Sequence, residues 1–66
     1  MAYAPHQERV ILEHQELETK YHDLGKFIST SPIFAQLDDT QRKLLEYQHF
    51  AMGEYLDTLV SRISYF

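Results

Sequence analysis

The chain has no cysteine, and only two glycines and two prolines among its 66 residues. Without cysteine there is no disulfide framework, no thiolate zinc site and no cysteine nucleophile. With so little glycine there is no phosphate-cradling loop. Apolar runs are short, Val10-Ile11-Leu12 being typical, so nothing reads as a membrane span. The N-terminal MAYAPHQE has neither a basic start nor an apolar core, so it does not read as a signal peptide and a cytoplasmic location is expected. Positive charge is scarce too. Six Lys and Arg stand against ten Asp and Glu, a net charge of -4. That excludes a general binder of duplex nucleic acid, which needs a basic face, but leaves room for a small anionic ligand held by a few cations.

Catalytic sets are also missing. A serine–histidine–acid arrangement needs a loop to present it, and the one sizeable loop candidate has no histidine or acid before Asp38. No pair of inward-facing carboxylates is evident. The chain reads as a non-enzyme.

What is present is helical periodicity. Pro5 suits the first position of a helix, where its missing N–H costs nothing. From there Val10, His14, Leu17, Tyr21, Leu24 and Ile28 follow a 4-3-4-3-4 spacing, one stripe along a helix over about residues 6–28. Gly25, near that stripe, weakens the helix by about 1 kcal/mol relative to alanine, which suggests a close approach by another helix. Ser29-Thr30-Ser31-Pro32 ends the segment, because the residue before proline is pushed out of the α region. A short helix or turn over 32–37 follows. Asp38 then reads as an N-cap with Gln41 completing a capping box. The last helix, about 39–65, carries Leu45, Gln48, Met52, Tyr55, Leu56, Leu59, Ile63 and Phe66 in an arc about 180° wide, broader than the roughly 100° stripe of a simple surface helix. Tyr47, Phe50 and Tyr65 lie outside it. Glu16–Lys20, Asp39–Lys43 and Arg42–Glu46 are spaced to pair on solvated strips.

The expected fold is all-α: one domain, a helical hairpin with a short helix or turn at the bend. Chains this short bury only about 60% of their unfolded surface. An isolated pair of helices encloses no core, so the surplus apolar arc predicts self-assembly into a multi-helix bundle or ring.

Several constellations compete as sites. An antiparallel hairpin brings Tyr3, His6 and Arg9 towards Arg62, Tyr65 and Phe66. Guanidinium groups suit phosphate and aromatic rings suit bases, whereas the simpler reading has the rings packing on a neighbouring subunit. At the bend, Lys26, the hydroxyls of Ser29 to Ser31, Arg42 and Lys43 surround helix starts, against the plainer reading of self-capped helix ends. Gln48 and Arg62 beside the apolar arc either form a cross-helix hydrogen bond that fixes register or line a pocket with Tyr21 and Tyr55. Glu46-x-x-His49 matches half of a di-iron signature, but no inward acid faces it from the first helix, Asp23 pointing away. The row His14, Glu18, His22 offers another metal surface, but it drifts by about 80° from apolar edge to solvent, so His14 reads rather as an interface histidine hydrogen-bonded to a neighbour. No metal or cofactor is expected.

The residues Glu8-Arg9-Val10, Glu16-Leu17, Lys20, Leu24, Phe27-Ile28, Phe34, Leu37, Leu44-Leu45, Gln48, Ala51-Met52, Tyr55, Leu59 and Arg62-Ile63 form a pattern that resembles a family of small phage-encoded proteins first catalogued in crAss-like phages. The resemblance implies a phage accessory protein acting in the cytoplasm of an infected bacterium, as a counter-defence factor that traps a nucleotide immune signal or binds a host defence protein. The expected ligand residues are Tyr3, Arg9, Lys26, Gln48, Tyr55, Arg62, Tyr65 and Phe66. The alternative is a protein–protein interaction module that engages a host protein through Ile11, Leu12, Tyr47 and Phe50, or a structural accessory.

Overall fold

A computed structural model describes residues 3–66. Three helices take up nearly all of it: α1 (Pro5–Thr30), α2 (Pro32–Gln36) and α3 (Asp39–Ser64). No strand occurs among the described residues. α1 and α3 pack along each other as a hairpin measuring 49 × 15 × 14 Å, with α2 at the bend. The expected all-α hairpin is the observed fold, and α1 extends two residues beyond its expected end.

Each terminus has an identifiable cause. Pro5 stands first in α1, and the Ala4 N–H before it donates to Gln7 Oε1 at 2.9 Å. Pro32 stops α1, whose last carbonyls are answered from within: Ser31 N–H reaches Phe27 O, and the Thr30 hydroxyl reaches Lys26 O at 2.6 Å. Ser31 Oγ then accepts from the Ile33 N–H and caps α2. Asp38 Oδ1 accepts from the Gln41 N–H at 2.8 Å and caps α3, as its sequence predicts. The reciprocal bond from the Gln41 side chain, which would complete the box, is not made.

The seam between the long helices follows matched strides. α1 contributes the expected stripe, Val10, His14, Leu17, Tyr21, Leu24 and Ile28, every member half-buried or better. α3 answers with Leu45, His49, Met52, Leu56, Leu59 and Ile63, also spaced 4-3-4-3-4. Repeats alternating three and four keep one face of each helix towards its neighbour.

The seam uses only part of the broad arc on α3. Gln48, Tyr55 and Arg62 lie outside the seam, exposed, and His49 takes the seam position. Among the described residues the side-chain hydrogen bond across the helices comes from His49. The expected 180° arc contained two overlapping stripes, and α1 has room for only one. Gly25 selects it: a Cβ there would lie 2.8 Å from His49 Nε2. The proposed Arg42–Glu46 pair is not formed either, because Arg42 pairs with Asp39.

Burial is thin. Among the described residues only Val10 (9% exposed) and Leu59 (0%) are buried. A two-helix pair has a seam but no interior.

Candidate functional site

The chemistry-bearing residues fall at three heights along the hairpin. At the open end, the rings of Tyr3 and Phe66 meet edge-to-face, centroids 6.2 Å apart. This contact shows directly that the two ends of the hairpin converge. Tyr65 stands 91% exposed beside it, one turn after the exposed Arg62. Arg9 is also exposed, on a shallow groove with Pro5, Glu8 and Leu12 along the outer face of α1. The groove is electrostatically mixed, since both Glu8 and Arg9 line it. Neither Arg9 nor Arg62 is engaged in an ion pair; among the described residues that role belongs to Arg42 with Asp39.

At mid-height, His49 organises the seam. Its ring stacks on Tyr21, centroids 4.1 Å apart and planes 7° from parallel. His49 Nε2 lies 3.1 Å from the Tyr21 carbonyl oxygen. A carbonyl only accepts, so Nε2 carries the proton in this contact. One turn further along α3, Gly53 leaves space for the same tyrosine: a Cβ there would lie 3.3 Å from the Tyr21 ring. The result is a notch lined by Tyr21, Phe50, Gly53, Glu54, Leu56 and Asp57. His14 is half-buried in the seam, but the histidine that bonds across it is His49.

At the bend, hydroxyls and caps answer one another. The Ser29 hydroxyl donates to Gly25 O, that of Thr30 donates to Lys26 O, and Ser31 and Asp38 cap the next two helices. The Phe27 and Phe34 rings close the end, 6.1 Å apart. These groups are engaged with the chain itself. Lys26 is exposed.

Of the eight expected ligand residues, Tyr3, Arg9, Arg62, Tyr65 and Phe66 lie at one end. Gln48 lies 14 positions from Arg62, about 21 Å along the helix, and Lys26 lies about 25 Å from Arg9. Tyr55 lies between, on the outer face of α3. One hairpin therefore does not gather all eight into one site. Gly53 was not singled out from the sequence, and His49 was weighed only as half of a di-iron signature; the signal for its seam role was its place in a 4-3 stride that matches α1. Among the described residues no three His, Asp or Glu side chains cluster, and His49 of the Glu46-x-x-His49 pair faces the seam.

A family model, Sequestin, matches residues 4–65. The chain belongs to the Sequestin family. The match covers both long helices and the bend. The family name suggests binding and withholding. No curated protein and no solved structure matches the chain.

Proposed function

We propose that this Sequestin-family chain acts by binding rather than turnover, as a homo-oligomeric trap for a small nucleotide signal. The observation that carries this is the open end: Tyr3 and Phe66 in contact, Tyr65 almost fully exposed, and Arg9 and Arg62 outside any ion pair. Aromatic faces stack on bases with little regard to sequence, and guanidinium forks match phosphate oxygens. The family name supports sequestration. The phage-type resemblance supports the setting, in which the trapped molecule is a bacterial immune signal and the trap is a counter-defence factor. Such a protein works by stoichiometry, so it needs only affinity and abundance.

Calorimetry against cyclic dinucleotides, cyclic trinucleotides and ADP-ribose derivatives tests the reading. Saturable binding of one class, weakened at least tenfold by Arg62→Ala, supports it. The absence of heat with every member removes it.

A second reading rests on Tyr47 and Phe50, which stand 69% and 62% exposed with their rings 6.5 Å apart on the outer side of α3. Exposed aromatics at this density suit a protein partner. Stoichiometric capture of one host protein, abolished by replacing both rings with serine, would favour this reading over the first.

A further inference from the structure

The outer face of α3 carries a second row with the same stride as the seam. Gln41, Leu44, Gln48, Ala51, Tyr55, Thr58, Arg62 and Tyr65 are spaced 3-4-3-4-3-4-3, and all eight are exposed in the hairpin. The row holds no carboxylate, although the chain has ten, and Arg62 is its one charge. The acids of α3 (Asp39, Glu46, Glu54 and Asp57) lie elsewhere around the helix. Depletion of charge on an otherwise charged surface marks the core of an interface.

We propose that this row is where a second copy of the chain docks, antiparallel, about a two-fold axis at the height of Gly53. Three features select that partner. First, the spacing is palindromic. Reversing α3 about position 53 carries Gln41 onto Tyr65, Leu44 onto Arg62, Gln48 onto Thr58 and Ala51 onto Tyr55. Each layer sets a smaller residue against a larger one or a hydrogen-bonding pair, and a two-fold contact must be self-complementary in this way. Second, a parallel pairing would stack Tyr55 on Tyr55, leave Ala51 facing Ala51 and bring the two Arg62 side chains together. The antiparallel one holds those arginines about 27 Å apart. Third, the area fits. The hairpin exposes 5227 Å². A typical folded monomer of its 7.9 kDa exposes roughly 4,400 Å². The excess, about 800 Å², is comparable to one partner's share of a standard interface.

The pairing deepens the proposed function. The open end of one copy comes to lie beside the start of α3 in the other, so Arg62 and Tyr65 of one chain face Gln41, Leu44 and the flanking Tyr47 of the second. Each pair then has two equivalent composite surfaces in which cationic and aromatic groups come from both chains. The binding reading and the pairing are separable, because the pairing needs no ligand.

The lack of native cysteine makes the register testable by disulfide trapping. Leu44→Cys and Arg62→Cys chains, mixed and oxidised, should cross-link to each other and not to themselves. Self-linking of Leu44→Cys would overturn the antiparallel register. Absence of any cross-link, with a 7.9 kDa species in light scattering at micromolar concentration, would overturn the pairing. Ala51→Glu, on an exposed position, should halve the mass of the pair, and an unchanged mass would show that the row is not the contact. Nucleotide calorimetry on the untrapped wild-type protein reports on the binding function independently of these outcomes.

Discussion

Gly25 and His49 show how one missing carbon sets a helix contact. Glycine inside α1 costs about 1 kcal/mol of helix propensity. In return the imidazole of His49 reaches the Tyr21 carbonyl and stacks on its ring. Gly25→Ala recovers the propensity but places a methyl 2.8 Å from Nε2, so the stacked ring must move. An aromatic stack contributes about 0.5–1.5 kcal/mol and a hydrogen bond about 1 kcal/mol. The substitution should therefore be neutral to mildly destabilising in the native background. In a His49→Ala background, where nothing obstructs the methyl, the same change should stabilise by about 1 kcal/mol. Chemical denaturation of the four proteins checks this through the coupling term. Equal effects of Gly25→Ala in both backgrounds would show that the close approach contributes nothing. Half of this arrangement was legible in advance: Gly25 pointed to a neighbouring helix, but no composition rule ranks a histidine above a glutamine for a seam position.

At the scale of the element, ends and stripes were not equally readable. Pro5, Ser31, Pro32 and Asp38 act through their own backbone or the next turn, so local chemistry fixes their roles and the helix boundaries fall close to expectation. α1 has one apolar stripe, and that stripe is the seam. α3 has two overlapping ones, and the choice between them depends on what α1 presents, which is not a property of α3. That is why the arc read on α3 took in Gln48 and Tyr55, with Arg62 beside it, whereas the hairpin leaves all three exposed. The Asp38 cap offers a clean test of the local part. Asp38→Ala removes the acceptor for the Gln41 N–H and should cost about 1 kcal/mol, with a small loss of helical signal in circular dichroism. Asp38→Asn should retain most of that stability, because the amide oxygen can cap in the same way. If Asp38→Asn lost as much as Asp38→Ala, the contribution would be charge at the helix N-terminus rather than the hydrogen bond.

For the whole molecule, the deciding quantity is how little two helices enclose. Leu59 is the one fully buried side chain among the described residues. Leu59→Asp leaves an unpaired carboxylate in the seam at a cost of several kcal/mol. So thin a structure has little reserve, and the variant should lose most of its helical signal at 25 °C. A variant that stays helical would mean that the seam contributes little to folding. The same scarcity of interior argues that folding and association are one process. If they are, stability depends on concentration, since dilution favours separated, unfolded chains. For two chains unfolding together, each tenfold dilution removes about 1.4 kcal/mol. Unfolding entropies of about 2.1 cal/mol/K per residue over a pair then place the shift in Tm near 5 °C per tenfold. Thermal melts from about 2 to 200 μM should spread by roughly 10 °C, and Ala51→Glu should collapse that spread. Superimposed wild-type melts would mean that the hairpin stands alone and that its outer row of leucine, alanine and tyrosine serves a different partner.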